Sequence, residues 1–110
     1  MAPFTLTVRH GARVQRERFE TLDEAITSLE AQSEAIRADG PLDSVKAFRE
    51  YGPGQRVAGR VEISTGGFLR GRDAGVDVMG DGSLVPYAGG IRKRMLDANA
   101  PFDAIRDELR

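Results

Sequence analysis

Residues 21–39, TLDEAITSLEAQSEAIRAD, form the one strongly periodic helical segment of this sequence. Its apolar and small residues recur at three- and four-residue spacing, which places them on one face of an α-helix. This stripe consists of Leu22, Ala25, Ile26, Leu29, Ser33 and Ile36. Thr21 lies at the N-cap position with Glu24 three residues later, as in a capping box. Gly40-Pro41 ends the segment, because glycine accepts the left-handed cap and proline cannot continue the helix.

The length and composition narrow the class of protein. The chain has 110 residues, which suits one small domain, and we predict a single domain over residues 1–110. Its 40% hydrophobic and 30% charged residues exclude a disordered or membrane-embedded chain. No apolar run approaches the roughly 18 residues of a membrane-spanning helix. Because the chain has no cysteine, disulfides, thiolate chemistry and Cys-ligated metals are excluded, and we expect a cytoplasmic, bacterial-type protein.

Alternating apolar and polar residues predict a hairpin before the helix. Residues 4–8 read as its first strand. A three-residue turn at 9–11, with glycine in the left-handed position, would pair Leu6 with Val14 on the apolar side. His10 is then an exposed turn residue.

Residues 45–51 and 57–63 form a second predicted hairpin. Both segments alternate apolar and polar residues, and the glycine- and proline-containing loop 52–56 separates them. This loop length sets Ala47 opposite Val61. We therefore expect the two segments to be neighbours in the sheet.

The strongest short hairpin signal is Asp81-Gly82, which lies between alternating apolar residues. A two-residue turn at this position pairs Val78 with Val85 and Val76 with Tyr87. The four side chains would then share the apolar side of the sheet.

Two weaker strands and a short helix complete the prediction. The strands are residues 68–72 and 91–96. A helix over about 100–110 begins with Pro101 in its first turn and carries the apolar stripe Phe102, Ile105 and Leu109. The predicted fold is α+β: an antiparallel sheet of about five to seven strands, with helix 21–39 across one face and a short C-terminal helix.

The residues typical of catalysis are scarce. General acid–base and nucleophilic catalysis need convergent groups, usually including a histidine, cysteine or activated serine. His10 is the only histidine, and no nucleophile motif accompanies it. Asp73, Asp77 and Asp81 are spaced by four, which does not converge on strands and turns, and the EF-hand pattern is absent. We predict no enzyme activity, no cofactor and no metal.

Charge is unevenly distributed along the chain. Residues 20–39 hold six acids and one arginine, so the predicted strands carry the positive charge. Acids favour a solvated helix face for reasons unrelated to function. The other interpretation is a basic sheet that meets an anionic partner such as nucleic acid. Its candidate contacts are Arg60, Arg70, Arg72, Arg92, Lys93 and Arg94.

In outline, the hairpin strands followed by the TLDEA helix resemble the strand-strand-helix units of AP2-like integrase arms. The resemblance is confined to this hairpin and helix. We transfer no binding residue from it.

The second face of the predicted sheet mixes apolar and charged residues. An antiparallel sheet with helices on one face is usually polar on the other, whereas a mixed composition suits an interface. The candidate self-association face is Phe48, Ala58, Arg60, Leu69, Met79 and Leu84. We predict a small non-catalytic binding or assembly protein that forms a homodimer through the sheet, with no membrane partner. The alternatives are a nucleic-acid-binding module and a small enzyme of unknown reaction.

Overall fold

The computed structural model describes residues 3–39, 56–66, 71–89 and 93–110, which form a six-stranded antiparallel sheet and two helices. The elements are β1 (Phe4–His10), β2 (Arg13–Phe19), α1 (Leu22–Ala38), β3 (Val57–Thr65), β4 (Arg72–Met79), β5 (Leu84–Ala88), β6 (Arg94–Met95) and α2 (Pro101–Leu109). The strand order is β2-β1-β3-β4-β5-β6. This architecture confirms the predicted α+β class.

Helix α1 has the predicted cap and buried stripe. The Thr21 hydroxyl oxygen accepts a hydrogen bond from the Glu24 amide at 3.2 Å and donates to the Glu24 carboxylate at 3.0 Å. The stripe residues Ala25, Ile26, Leu29, Ser33 and Ile36 are all buried. Ser33 satisfies its hydroxyl by donating to the Leu29 carbonyl oxygen at 2.7 Å. The helix packs mainly on β1 and β3.

The core lies between the two helices and the middle of the sheet. Strands β1, β3 and β4 each contribute alternate apolar side chains, as expected for a sheet that is covered on one face. These residues are Leu6, Val8, Val61, Ile63, Ala74, Val76 and Val78. Helix α2 begins at Pro101 and buries Ile105 and Leu109 against the same core, as predicted.

The turn between β1 and β2 is shorter than the sequence suggested. His10 pairs with Arg13, which leaves only Gly11 and Ala12 in the turn. Gly11 has φ +63°, and a two-residue turn with glycine first matches the twist of the flanking strands. The predicted three-residue turn is therefore wrong, and His10 is the last residue of β1. Val14 consequently lies on the side of the sheet opposite the core, 44% exposed.

Strand β3 lies between β1 and β4 in the sheet, and its predicted hairpin partner, residues 45–51, is outside the described residues. Val61 faces Val8 on one side and Val76 on the other. The predicted partners of β3 are wrong. Both of its edges are taken by strands that the local hairpin pattern did not connect to it.

The β4–β5 loop is one residue longer than predicted. Its residues are Gly80–Gly82, closed by a hydrogen bond from the Met79 amide to the Ser83 carbonyl oxygen at 2.8 Å. Only Gly82 needs a positive φ, +89°, as in a three-residue hairpin loop. The extra residue shifts the register, so Gly75 rather than Val76 faces Tyr87. The predicted two-residue turn is wrong, and Tyr87 lies on the sheet face without helices.

The two weaker predicted strands are only partly described. Arg72 opens β4, while residues 67–70 lie outside the described residues. Of residues 91–96, the described part contributes the two-residue strand β6, which pairs with β5. Within the described ranges, neither helix has the length and apolar content needed to cross a membrane.

Candidate functional site

The face of the sheet that carries no helix presents mostly polar and charged side chains. Successive strands place Arg9, Arg60, Asp77 and Val85 side by side on it, opposite the core positions. We call this surface the helix-free face. Its described polar residues are Thr5, Thr7, Arg9, Arg16, Arg18, Arg60, Glu62, Ser64, Asp73, Asp77, Tyr87 and Lys93.

A buried carboxylate lies at the centre of this face. Asp77 is 5% exposed and faces Arg60 directly across the β3–β4 pair. Arg60 donates from Nε to Oδ1 at 2.6 Å and from Nη2 to Oδ2 at 3.1 Å, a bidentate pair. Lys93 donates from Nζ to Oδ2 at 2.9 Å. Two cations therefore share one carboxylate.

These contacts set the protonation of the pair. Burial raises the pKa of Asp77, but hydrogen bonds from Arg60 and Lys93 and attraction to both cations outweigh it. The net pKa of Asp77 lies below its ordinary value. The hydrogen bond to Asp77 in turn raises the pKa of Arg60. Arg60 and Asp77 are therefore both ionised across the physiological range.

Tyr87 continues the cluster towards Glu62. Its hydroxyl donates to Glu62 Oε2 at 3.0 Å, and the Lys93 Nζ lies 4.4 Å from the centroid of its ring. Burial, followed by repulsion from Glu62, raises the pKa of Tyr87, so the phenol stays protonated. Gly75 lies directly opposite Tyr87 in the sheet. A Cβ at Gly75 would lie 2.9 Å from the Tyr87 hydroxyl oxygen, so the observed position of the Tyr87 side chain requires glycine at residue 75.

Arg60, Asp77, Lys93, Tyr87 and Glu62 form one set of contacts, which we call the ionic cluster. Its pKa shifts are not those of a general acid or base. Asp77 and Tyr87 have pKa values displaced away from neutrality, whereas a general acid or base works best near the operating pH. Each charged group has an opposite charge or hydrogen-bonding partner within the cluster. The contacts therefore hold the Arg60, Asp77 and Tyr87 side chains in fixed positions on the helix-free face.

Three arginines at the β1–β2 end of the helix-free face are different. Arg9, Arg16 and Arg18 are exposed, and none forms an ion pair or side-chain hydrogen bond with any described residue. Arg16 and Arg18 alternate along β2, about 7 Å apart at two strand steps. Arg9 faces Val14, so it is diagonal to Arg16 at about 7–8 Å. We call these three residues the arginine row.

A cavity of about 430 Å³ adjoins Arg9 at the end of the arginine row. Arg56 and Arg60 also line it, together with the backbone of Gly11 and Gly59. Arg9 and Arg60 are direct cross-strand partners, and Asp77 balances the charge of Arg60. Arg9 is therefore the member of the arginine row that lies nearest the ion pair of Arg60 and Asp77.

The predicted anion contacts separate into two groups. Arg60 and Lys93 both bind Asp77 on the helix-free face. Arg72 donates to the Glu108 carbonyl oxygen at 3.3 Å, and Arg94 forms an ion pair with the Glu108 carboxylate, so both turn towards α2. The other two, Arg70 and Arg92, lie outside the described residues.

The predicted self-association residues do not form one described surface. Leu84 faces Val78 and packs against the core on the helix side, which the shifted register explains. Ala58 also packs against the core, and Met79 is half-buried. Arg60 lies on the helix-free face, while Phe48 and Leu69 lie outside the described residues.

Sequence reasoning missed the arginine row because it assigned the wrong turn to the first hairpin. The three-residue turn pairs Leu6 with Val14, and it would therefore place Arg16 and Arg18, which alternate with Val14 along the strand, on the side of Leu6. With the observed turn they lie on the helix-free face. The alternation of arginines in β2, combined with a glycine-first two-residue turn, was the signal that could have identified them.

Comparison with known proteins adds no functional assignment. No model of a known protein family matches this chain, and neither the curated proteins nor the solved structures give a significant match. The resemblance to AP2-like units is not supported by these comparisons. Among the described residues, no three histidine, aspartate or glutamate side chains are grouped so that they could hold a metal ion.

Proposed function

We propose that this chain is a non-catalytic nucleic-acid-binding protein of the cytoplasm that contacts the phosphate backbone through the arginine row. The observation that carries the proposal is the exposure of Arg9, Arg16 and Arg18 on one face without any described ion-pair partner. The planar guanidinium donates two parallel hydrogen bonds to a phosphate, which makes arginine well suited to this contact.

The spacing and the charge distribution both favour a polyanion. Steps of about 7 Å between guanidinium-bearing positions equal two of the 3.4 Å intervals at which the phosphates of one strand follow each other along the axis of a duplex. The opposite side of the molecule is acidic, since α1 exposes Asp23, Glu24, Glu30 and Glu34. A molecule that is positive on one face and negative on the other is oriented by the field of the polyanion before contact.

The ionic cluster supports the arginine row from within the sheet. Arg9 and Arg60 are direct neighbours, and two unbalanced guanidinium groups at this separation would repel each other. Because Asp77 holds Arg60, the Arg9 guanidinium remains available to an external anion.

The same face favours backbone contacts over base recognition. Single-strand binding proteins stack bases on exposed aromatic rings, whereas Tyr87, the aromatic side chain of the described helix-free face, is 2% exposed. Phosphate contacts position a protein without reading sequence. We therefore expect binding to a duplex with little sequence preference.

The proposal is tested by fluorescence anisotropy with a labelled short DNA duplex between about 50 and 200 mM salt. Three phosphate contacts predict a slope of about −2.7 for log K against log salt. Replacing Arg16→Gln and Arg18→Gln together removes two contacts, so the slope should fall to about −0.9 and binding should weaken.

The matched control is the double variant Arg37→Gln with Arg110→Gln. It removes the same net charge from exposed positions on α1 and at the end of α2. We expect its affinity and salt slope to stay close to those of the wild type. No binding by the wild type at low salt, or equal loss in both double variants, would refute the proposal.

Self-association is distinguished by sedimentation of the free chain. Apolar association persists from low to moderate salt, because apolar burial is insensitive to ionic strength. We expect a monomer at both salt concentrations. A salt-independent dimer that Met79→Glu dissociates would instead favour self-association through the sheet.

A further inference from the structure

A groove runs between strand β2 and helix α1 on the other side of the sheet. Because α1 packs mainly on β1 and β3, the side chains of β2 that point towards the helix are left exposed. Two adjoining cavities of about 630 and 450 Å³ occupy this space and share Val8, Gln15 and Gln32. These volumes fall within the range of small-molecule sites.

The larger cavity combines an apolar surface with unused polar groups. Val8 and Ile36 supply buried apolar side chains. The side chains of Arg13, Gln15 and Gln32 form no hydrogen bond or ion pair with the described residues. An apolar surface with a few convergent polar groups is the usual composition of a ligand site.

Opposite charges lie at two places around this cavity. Arg13 pairs with His10 across the β1–β2 hairpin, and the His10 Nε2 lies 3.4 Å from Asp39 Oδ2. Asp39 is the C-cap residue of α1, where the helix dipole also favours positive charge. The cavity thus has a cationic side at Arg13 and an anionic side at Asp39.

We infer that this groove binds a small zwitterion, an α-amino acid with an apolar side chain. Its carboxylate binds Arg13, its ammonium group binds Asp39 at the C-terminal end of α1, and its side chain packs on Val8 and Ile36. Gln15 and Gln32 lie where they can supply further hydrogen bonds. These contacts lie in the larger cavity, which no residue of the arginine row lines, whereas Arg16 lines the smaller adjoining cavity.

The test uses phenylalanine and two analogues that each lack one charge, 3-phenylpropionate and phenethylamine. His10 is the single histidine of the chain, so its imidazole Hε1 resonance in proton NMR reports on the cavity without ambiguity. We expect a saturable shift with phenylalanine, and affinities about tenfold or more weaker for both analogues, since each loses one charged contact.

Substitutions of Arg13 and Asp39 test which residue binds the carboxylate of the ligand and which binds its ammonium group. Arg13→Gln should weaken phenylalanine about tenfold and leave phenethylamine unchanged, while Asp39→Asn should weaken phenylalanine and leave 3-phenylpropionate unchanged. Arg110→Gln, at the far end of α2, serves as the control and should change none of the three. The absence of a saturable shift with phenylalanine would overturn the inference. So would equal affinity for an analogue, or a loss in Arg110→Gln as large as in Arg13→Gln.

Discussion

The ionic cluster on the helix-free face can be tested by Asp77→Asn, which keeps the shape of the side chain and removes its charge. The wild-type carboxylate accepts three hydrogen bonds, two from Arg60 and one from Lys93. Asparagine retains one acceptor oxygen and points an NH₂ group at the remaining donors. At least one charged hydrogen bond is therefore lost, and a donor faces a donor.

The size of the effect follows from the exposure of the partners. A hydrogen bond to a charged group contributes about 1.5–3 kcal/mol, so losing one or two could cost up to about 6 kcal/mol. Two effects reduce this cost. The Arg60 and Lys93 side chains are 37% and 41% exposed and can turn to water, and the buried carboxylate no longer bears its desolvation cost. We expect a net loss of about 1–3 kcal/mol in the free energy of unfolding.

Urea denaturation followed by far-ultraviolet circular dichroism measures this difference at several pH values. The pKa of Asp77 in the folded chain is lower than its ordinary value of about 3.9. The charged carboxylate therefore stabilises the fold above about pH 4, and this contribution is lost as the pH falls through the folded pKa. The gap between wild type and Asp77→Asn should be constant near neutrality and narrow below about pH 4.

Two outcomes would refute this reasoning. A loss below about 0.5 kcal/mol at neutral pH would mean that the cluster contributes no more than an exposed ion pair. A gap that stays unchanged in acid would mean that the charge of Asp77 is not its source.

Two further substitutions test the core and the packing of Tyr87. Leu29→Ala removes a fully buried side chain of α1 and should cost about 2–5 kcal/mol in urea melts, and a loss below about 1 kcal/mol would contradict the core assignment. Gly75→Ala places a Cβ 2.5 Å from the Val61 carbonyl oxygen and 2.9 Å from the Tyr87 hydroxyl, so we expect a loss of at least about 1–3 kcal/mol and a displaced tyrosine ring resonance. An unchanged stability and spectrum would show that β3 and β4 are not this close.

The helices could be predicted from sequence because their signals are local. The cap at Thr21 and the stripe through Leu29 act within one segment, and the structure confirms both. The strand pairings depend on turn length. One residue more or less in the turn moves every side chain of the following strand to the opposite face of the sheet. Both hairpins that the structure describes differ from their predicted turns by one residue, and each error moved side chains to the wrong face.

The candidate site could not be predicted from the sequence, because a change of one residue in strand register moves side chains to the other face of the sheet. Tyr87 and Val14 were expected on the apolar side, but both lie on the helix-free face. The contact between Arg60 and Asp77 joins β3 to β4, a pairing that the local hairpin pattern did not propose. The pairing of strands that are distant in the sequence is set by the packing of the whole sheet. A single sequence therefore indicates where the strands lie better than it indicates which strands pair.

The most direct test of the proposed function maps the duplex onto the protein. Amide chemical shifts in a nitrogen–proton correlation spectrum would be followed while a short DNA duplex is added at low salt. We expect the largest changes to cluster in β1 and β2, around Arg9, Arg16 and Arg18, with α1 and α2 unchanged. Changes centred on the helices, or no saturable change at all, would contradict the proposed function.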